Sequence, residues 1–513
     1  METDSLTYKT FKNISYNIVG YIWPMFFSLF ITPIVIFKLG IKNYGIYLFI
    51  NALMGLMSLL DLGFGTAVAK HMSFYWGKKD YSAIQALIRS ANTLSLLIGA
   101  LGAILLIAIG FFGPQILPAQ FANYQAYSIL FIIAGGLFFI TTLFNTYTVA
   151  LAVLQRFDIS NKIGIISTTV SSLSVLIVVL SGGSLTSMLL TQLLFIILFN
   201  IITMRQVKKM LPQAGLKFGW DTTEIKNCYK FGLVVFINSI AGTALSSLDR
   251  LIIPFYVGPS NLTYYSVPGS VTSRIPGVAS TLSVTMFPTT SQLDGGNNRA
   301  QIETLYVRSF RLITIAAAAL TITSIAFAYK ILLYWLSADF ANHSTQILII
   351  LAFTNFFLAL FGPLSSFLLG LNKVKFLTAM SVSMGILNAI LLLILLPRYG
   401  ITGAAWAYLL SLLPVIYIFY YTEKKYLTLS SRGHYYTKKI LGTILVSALV
   451  WIIDVYLLSP IIVNVATLLL IGGSSVLIYI VLYKLFGFFD TTDWVDFERF
   501  FTVLSKKVRL QKI

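Results

Sequence analysis

Long apolar runs follow one another along the whole chain, separated by short stretches that hold nearly all of the charge. A run of about 18 or more weakly charged apolar residues is the mark of a membrane-spanning helix, because about 20 residues rising 1.5 Å each cross the hydrocarbon core. The pattern predicts fourteen spans, over residues 14–37, 46–69, 87–112, 126–152, 163–181, 184–204, 230–256, 263–290, 309–336, 345–371, 374–396, 401–421, 439–458 and 461–484. The expected fold is therefore an all-α polytopic membrane protein of about 14 transmembrane helices. After the last span, Trp494, Phe497, Phe501, Leu504 and Val508 recur at spacings of three and four, one face of a helix. Arg499, Lys506, Lys507 and Arg509 supply charge for anionic headgroups, so this tail is expected to lie as an amphipathic helix on the cytoplasmic leaflet.

The pattern also repeats. FKLGIKNYGIY (37–47) aligns with FYVGPSNLTYY (255–265) at an offset of 218. IRS (88–90) aligns with VRS (307–309) at 219, LQR (154–156) with LNK (371–373) at 217, and Gly183 with Gly400 at 217. A near-constant offset across six spans points to two copies of one unit. Six is even, so the copies run parallel about an axis along the membrane normal, and in such folds substrate sites lie between the copies. The expected organisation is a six-helix lobe over 1–204, a basic cytoplasmic linker over 205–229, a second six-helix lobe over 230–421, an appended helix pair over 439–484 and the tail over 485–513.

Composition agrees. Hydrophobic residues make up 57% and charged residues 10%, against about 25% charged in soluble domains, which excludes a water-soluble fold. The net charge of +19 raises the question of nucleic acid, but its distribution answers otherwise. Of the 36 basic residues, 28 fall in the tails and in the loops and loop edges on one side, three on the other, and five inside spans. Lys and Arg mark the cytoplasmic side, so both termini are expected there. The first apolar run is too long for a cleavable signal and is expected to be a retained span. Cys228 is the single cysteine and has no partner for an internal disulfide.

Charge within spans is where chemistry is expected. An Arg or Asp at mid-helix costs about 2.5–3.5 kcal/mol on insertion scales, and such residues face a bundle interior or a water-filled cavity. Arg274 lies near mid-membrane in the eighth span, Arg250 in the outer third of the seventh, and Asp61 near the middle of the second, the repeat equivalent of the eighth. Asp249 neighbours Arg250 and points about 100° away from it, so one lines a cavity while the other pairs with a neighbouring helix. Arg89 and Lys70 mark the cytoplasmic mouth, and Asp454 sits inside the thirteenth span with no evident partner. Arg274, Arg250, Asp61, Asp249 and Arg89 are the candidate cavity residues. Prolines 24 and 33 in the first span, and 254, 268, 276 and 288 around the seventh and eighth, break helices as a moving transporter would need. The longest extracytoplasmic loop, Gly113–Gln125, has 13 residues, and Asp339 is the one acid in those loops. With His71, His343 and His434 scattered and no phosphate-cradling loop, metal-ligand cluster or nucleophile elbow in sight, an enzyme is not expected.

LGIKNYGIY, LLDLGFGTAVAK, SSLDRLIIPFYVG…LTYYSVPGSV, LGLNKVKF and YGITGAAWAY, in this order and spacing, resemble the polysaccharide-transport branch of the multidrug/oligosaccharidyl-lipid/polysaccharide exporter superfamily. The resemblance covers essentially the whole chain. It implies a flippase of the bacterial inner membrane, moving undecaprenyl-diphosphate-linked oligosaccharide repeat units to the periplasmic leaflet for O-antigen, capsule or exopolysaccharide assembly. It further implies a basic central cavity, a lipid-tail groove at the two extra helices, and no cofactor beyond a coupling H⁺ or Na⁺. Arginine suits the diphosphate because its planar fork binds phosphate bidentately. Two alternatives are an ion-coupled multidrug antiporter of the same superfamily, disfavoured by the lack of an acid in the first span, and a polytopic polysaccharide polymerase or ligase, disfavoured by the short loops.

Overall fold

The computed structural model describes residues 23–116, 124–426 and 432–488, apart from 213 and 297. The amphipathic tail expected from Trp494 onward lies outside the described residues, as does the start of the first span. Every regular element among the described residues is helical. Hydrocarbon offers the backbone no hydrogen bonds, so a spanning segment must satisfy its own amides and carbonyls, and an isolated segment does so only as a helix.

The chain divides into two compact units, Met1–Thr263 and Tyr264–Ile513. The first holds α1 (Trp23–Leu39), α2 (Ile41–Met57), α3 (Phe64–Lys78), α4 (Tyr81–Ile116), α5 (Tyr124–Val153), α6 (Phe157–Leu180), α7 (Leu185–Met210) and α8 (Thr222–Val257). Its core is built where α3, α4, α5 and α8 meet, around Phe64, Met72, Leu87, Tyr147 and Cys228. Helix α9 (Pro259–Thr272) carries the chain into the second unit. There follow α10 (Arg274–Gly295), α11 (Arg299–Ala326), α12 (Ala328–Trp335), α13 (Ala338–Gly370), α14 (Val374–Leu410), α15 (Leu413–Tyr426), α16 (Arg432–Ile453) and α17 (Val465–Leu485). Helix α13 is the most buried of these, with Ala352, Ala359, Leu364 and Phe367 in apolar clusters against α11. The appended pair, α16 and α17, packs on α11 through Val446, Val450, Tyr479 and Tyr483.

The internal repeat is written in the backbone. The turn from α5 to α6 places Gln155 at φ 52°, with Leu154 N–H on Ala150 O (2.9 Å), Gln155 N–H on Ala152 O (3.0 Å) and Arg156 N–H on Leu151 O (3.0 Å). The turn from α13 to α14 places Asn372 at φ 57° and repeats each bond 217 residues later: Leu371 to Phe367, Asn372 to Leu369, Lys373 to Leu368. Gly40 (φ 84°, ψ 154°) and Gly258 (φ 88°, ψ 162°) match in the same way between α1 and α2 and between α8 and α9. Positive φ suits glycine, which has no Cβ to clash, and at Asn372 asparagine, whose short polar side chain tolerates the left-handed turn.

Ten helices among the described residues are long and apolar enough to cross a membrane, or eleven when a bent one is included. The difference from fourteen expected spans falls in four places. Helix α1 is described over only 17 residues. The seventh span is bent by 45° between Ser239–Leu245 and Ser247–Val257. The eighth is split into α9 and α10 at Ser273. The eleventh and twelfth run on as residues 374–425 but are parted at Gly400, whose φ of 59° and ψ of −147° no helix contains. The chain doubles back there: a Cβ on Gly403 would lie 2.2 Å from the carbonyl oxygen of Leu395, eight residues away and about 12 Å off in a continuous helix. The second span, expected as one helix over 46–69, is also broken, between α2 and α3.

Close backbone approach also fixes α2. A Cβ on Gly45 would lie 1.9 Å from the Pro259 carbonyl oxygen, and Thr263 Oγ1 donates to Ile41 O at 2.8 Å beside it. Gly45→Val should therefore force α2 off this contact and cost about 2 kcal/mol, read as a thermal midpoint several degrees lower in detergent. An unchanged midpoint would show that the contact is not formed.

Candidate functional site: a cavity at a broken helix

The break in the second span has a local cause. After α2 a short 3₁₀ turn, Ser58–Asp61, leads to Leu62 at φ 49° and Gly63 at φ 74°. Two consecutive left-handed residues end any α-helix. Gly63 adopts this freely, but Leu62 gives up about 1–2 kcal/mol to it. Strain of this kind is held where the surroundings fix it, commonly at functional sites. The freed backbone groups are re-satisfied nearby: Leu62 N–H donates to Leu59 O at 3.1 Å and Ala67 N–H to Gly63 O at 3.2 Å. Asp61 does the rest. Its Oδ2 accepts the Gly65 N–H at 2.9 Å, so the carboxylate sits at the positive end of α3, where an anion is favoured.

A cavity of about 460 Å³ opens at this break, within the first unit. Ser58, Asp61, Gly63 and Thr66 line it from the α2–α3 side, and Phe236, Ser239, Gly242 and Thr243 from α8. Asp61 is the one ionisable residue of this lining. The wall is thus hydroxyl-rich with a single acid and an aromatic ring, suited to a polar, uncharged group. Gly65 keeps the carboxylate open to α5: a Cβ there would lie 3.2 Å from both Asp61 Oδ2 and Asn145 Nδ2.

The other candidate residues lie elsewhere. Asp249 is buried in α8 beyond its bend, and its Oδ1 accepts the N–H of Arg250 at 2.8 Å. Arg250 is half-buried, and neither residue belongs to the cavity lining. Arg89 is exposed on α4 and lies over the linker: a Cβ on Gly219 would sit 2.8 Å from its Nε. The same face of α4 clasps the linker backbone. Thr93 exchanges hydrogen bonds with Gly219, Ser90 Oγ accepts from Asp221 N–H at 3.0 Å, and Asn92 Nδ2 donates to Lys217 O at 3.1 Å. Asp221 then caps α8 by accepting from Thr223 and Glu224 N–H. Arg89, expected at a cavity mouth, thus lies beside the linker, where one turn of α4 offers Ser90, Asn92 and Thr93 to the linker backbone.

Arg274 belongs to the second unit, half-buried as the first residue of α10. Pro276 has no N–H to return to the turn above, and the helix loosens at Ser273 (φ −62°, ψ −10°) without leaving the helical region. Thr272 is buried at the break, and Asn355 of α13 donates to its Oγ1 at 3.0 Å. Ser273 N–H goes to Gly269 O at 2.9 Å. Each unit thus carries a charged residue beside a helix boundary, Asp61 after α2 and Arg274 at the start of α10. The sequence signal for the first was DLGFG, two glycines within four residues of the acid.

Apolar helices long enough to cross a membrane, a helix broken beside Asp61 and an internally repeated bundle mark a multi-pass membrane protein. Solved structures share the fold. A lipid II flippase MurJ in an inward closed conformation superposes over 92% of this chain and 99% of its own, with a TM-score of 0.68 at 16% identity. An inward-facing multidrug resistance MATE family transporter of the MOP superfamily superposes over 81% of this chain and 99% of its own, with a TM-score of 0.62 at 14% identity. In sequence, a protein named as an O-antigen transporter in Shigella flexneri is 20% identical over 77% of this chain and 93% of its own length. One named as a low-salt glycan biosynthesis flippase in Haloferax volcanii is 24% identical over 73% of this chain and 75% of its own. Residues 39–345 match the polysaccharide biosynthesis protein family, and the chain belongs to that family.

The cavity makes a direct prediction. Cys228 is fully buried, and burial followed by the nearby Glu224 pushes its thiol up to about 12, so it is unreactive as a nucleophile. Ser239→Cys and Thr66→Cys should react with a small charged maleimide in the folded protein while Cys228 reacts only after denaturation. Equal protection of all three thiols would mean that water does not reach the cavity.

Proposed function

We propose that this protein is a non-enzymatic flippase that carries a lipid-linked oligosaccharide across the membrane by alternating access. The observation that carries this reading is the family match, joined to relatives named for O-antigen transport and glycan flipping over most of the chain. The cargo class follows from those names, and the physics of the chain suits it. A lipid-linked oligosaccharide has a polar glycan, a phosphate linkage and a long apolar tail. The glycan needs a hydroxyl-rich lumen, for which Ser58, Thr66, Ser239 and Thr243 are suitable. The phosphate linkage needs cations that stay charged in a low dielectric, for which Arg274 and Arg250 are the candidates, since guanidinium binds phosphate bidentately. The tail stays in lipid.

In finer detail, the cargo is undecaprenyl-diphosphate-linked repeat units, the membrane is the bacterial inner membrane, and both termini are cytoplasmic, as the bias of basic residues demands. O-antigen is the favoured polymer, with capsule or exopolysaccharide as its chemical kin. Asp61 and Asp249 are the candidates for a coupling H⁺ or Na⁺.

Arg274→Ala should lower polymer output in cells at least tenfold while leaving expression and insertion unchanged, and Arg274→Lys should be intermediate because a point charge replaces a planar fork. Wild-type output from Arg274→Ala would remove Arg274 from the site. Full activity of Arg274→Lys would show that charge alone is needed.

A further inference from the structure

The appended pair holds an acid that the proposed transport cycle does not use. Asp454 is fully buried, with no exposed surface, at the point where α16 passes into a π-helical turn, Asp454–Leu458. Such turns insert one extra residue into a helix and concentrate at functional positions. The helix then closes in a 3₁₀ turn, Ser459–Ile461, at Pro460. Among the described residues, one group bonds to the Asp454 carboxyl: Ser475 Oγ of α17 donates to Oδ2 at 2.6 Å. Ser475 Oγ is in turn 2.8 Å from Thr323 Oγ1 of α11. The second carboxyl oxygen, Oδ1, is buried with no partner. A carboxyl and two hydroxyls therefore form a short chain linking α16, α17 and α11 inside an apolar cluster that includes Val450, Ala319 and Tyr479.

The surroundings supply no counter-charge. On α17, Tyr479 faces the same core but bonds to Ser447 Oγ of α16 at 3.3 Å, and Tyr483 lies one turn further along, 3.4 Å from Thr443. On α11 the nearest ionisable group is Arg311, twelve residues before Thr323, about 18 Å along the helix. On α12, Lys330 Nζ reaches the Ile462 carbonyl at 3.4 Å and lies 5.5 Å from the Tyr334 ring centre. Tyr456 within the π turn is exposed. No cation lies within ion-pair distance of Asp454 among the described residues. An ionised carboxylate here would lack compensation worth several kcal/mol. Oxygens 2.6 and 2.8 Å apart are also too close to surround a metal ion and fit a hydrogen-bonded chain instead.

We propose that Asp454 is a proton-binding site: at neutral pH its carboxyl holds a proton, and in that neutral form it lets α16 and α17 dock on α11 through Ser475 and Thr323. Losing the proton leaves a bare charge in the apolar cluster and loosens the pair. The proposal is independent of the cargo and stands or falls apart from the flippase reading.

The test is infrared difference spectroscopy on the purified full-length protein in nanodiscs, wild type against Asp454→Asn, in NaCl and in KCl. At pH 7 the wild type should show a protonated-carboxyl C=O band that Asp454→Asn lacks. The band should be the same in both salts and fade as the pH is raised. Ser475→Ala removes the one donor that favours the ionised form and should move that fading up by about one pH unit. It provides the assignment even where Asp454→Asn fails to fold. The folded state would hold a proton that the unfolded chain releases at about pH 4, so wild-type stability should fall relative to Asp454→Asn as pH rises from about 4 up to the pH where the band fades, and level off beyond it. Loss of no carboxyl band in Asp454→Asn, or no shift in Ser475→Ala, would overturn the proposal. So would a band that vanishes when Na⁺ replaces K⁺ at fixed pH, which would make this a cation site.

Discussion

Hydrocarbon cannot hydrogen-bond to a peptide group, and the structure depends on how the chain meets that constraint. Most of the chain meets it with uninterrupted helices. Where a helix is interrupted, nearby side chains and turns take up the freed groups. Asp61 takes the Gly65 amide beyond the left-handed pair Leu62–Gly63. Asn355 holds Thr272 at the break ahead of Arg274. Such breaks are tolerated at membrane depth only where protein or enclosed water replaces lipid around them. The broken helix at Asp61 does border a cavity, and α8 contributes its facing wall.

The same constraint shapes what surrounds each charge inside the bundle. Asp249 is turned onto the amide of its neighbour Arg250. Arg89 lies against the linker, whose carbonyls and amides are already taken by Ser90, Asn92 and Thr93. Asp61 has a double character, capping α3 while presenting its carboxyl to the cavity. Its cost is thereby lowered by the helix it caps, which allows an acid to remain at that depth.

Much of this was legible in the sequence because lipid imposes a coarse and unforgiving pattern. Apolar runs located the helices, and a constant offset located the repeat, which the structure writes into the paired turns at Gln155 and Asn372 and at Gly40 and Gly258. What hydropathy does not carry is continuity. The stretch through Asp61 is apolar on both sides of DLGFG, so it reads as one span, although two left-handed residues divide it. Residues 374–425 show the opposite case, an unbroken apolar stretch turned back on itself at Gly400. Side-chain partners were equally out of reach. Charge and depth marked Arg89 and Asp454, but the linker strand over one and the Ser475–Thr323 chain beside the other depend on residues more than twenty positions away or further.

The proposed function concerns the passage of a lipid-borne glycan from one leaflet to the other, and leaflet occupancy is its most direct test. Cells depleted of the protein would be probed with a glycan-modifying reagent that cannot cross the membrane in which the protein resides. The account predicts that lipid-linked repeat units accumulate and stay out of the probe's reach until the protein is restored. Units that accumulate while fully accessible to the probe would contradict it, since flipping would then proceed without this chain.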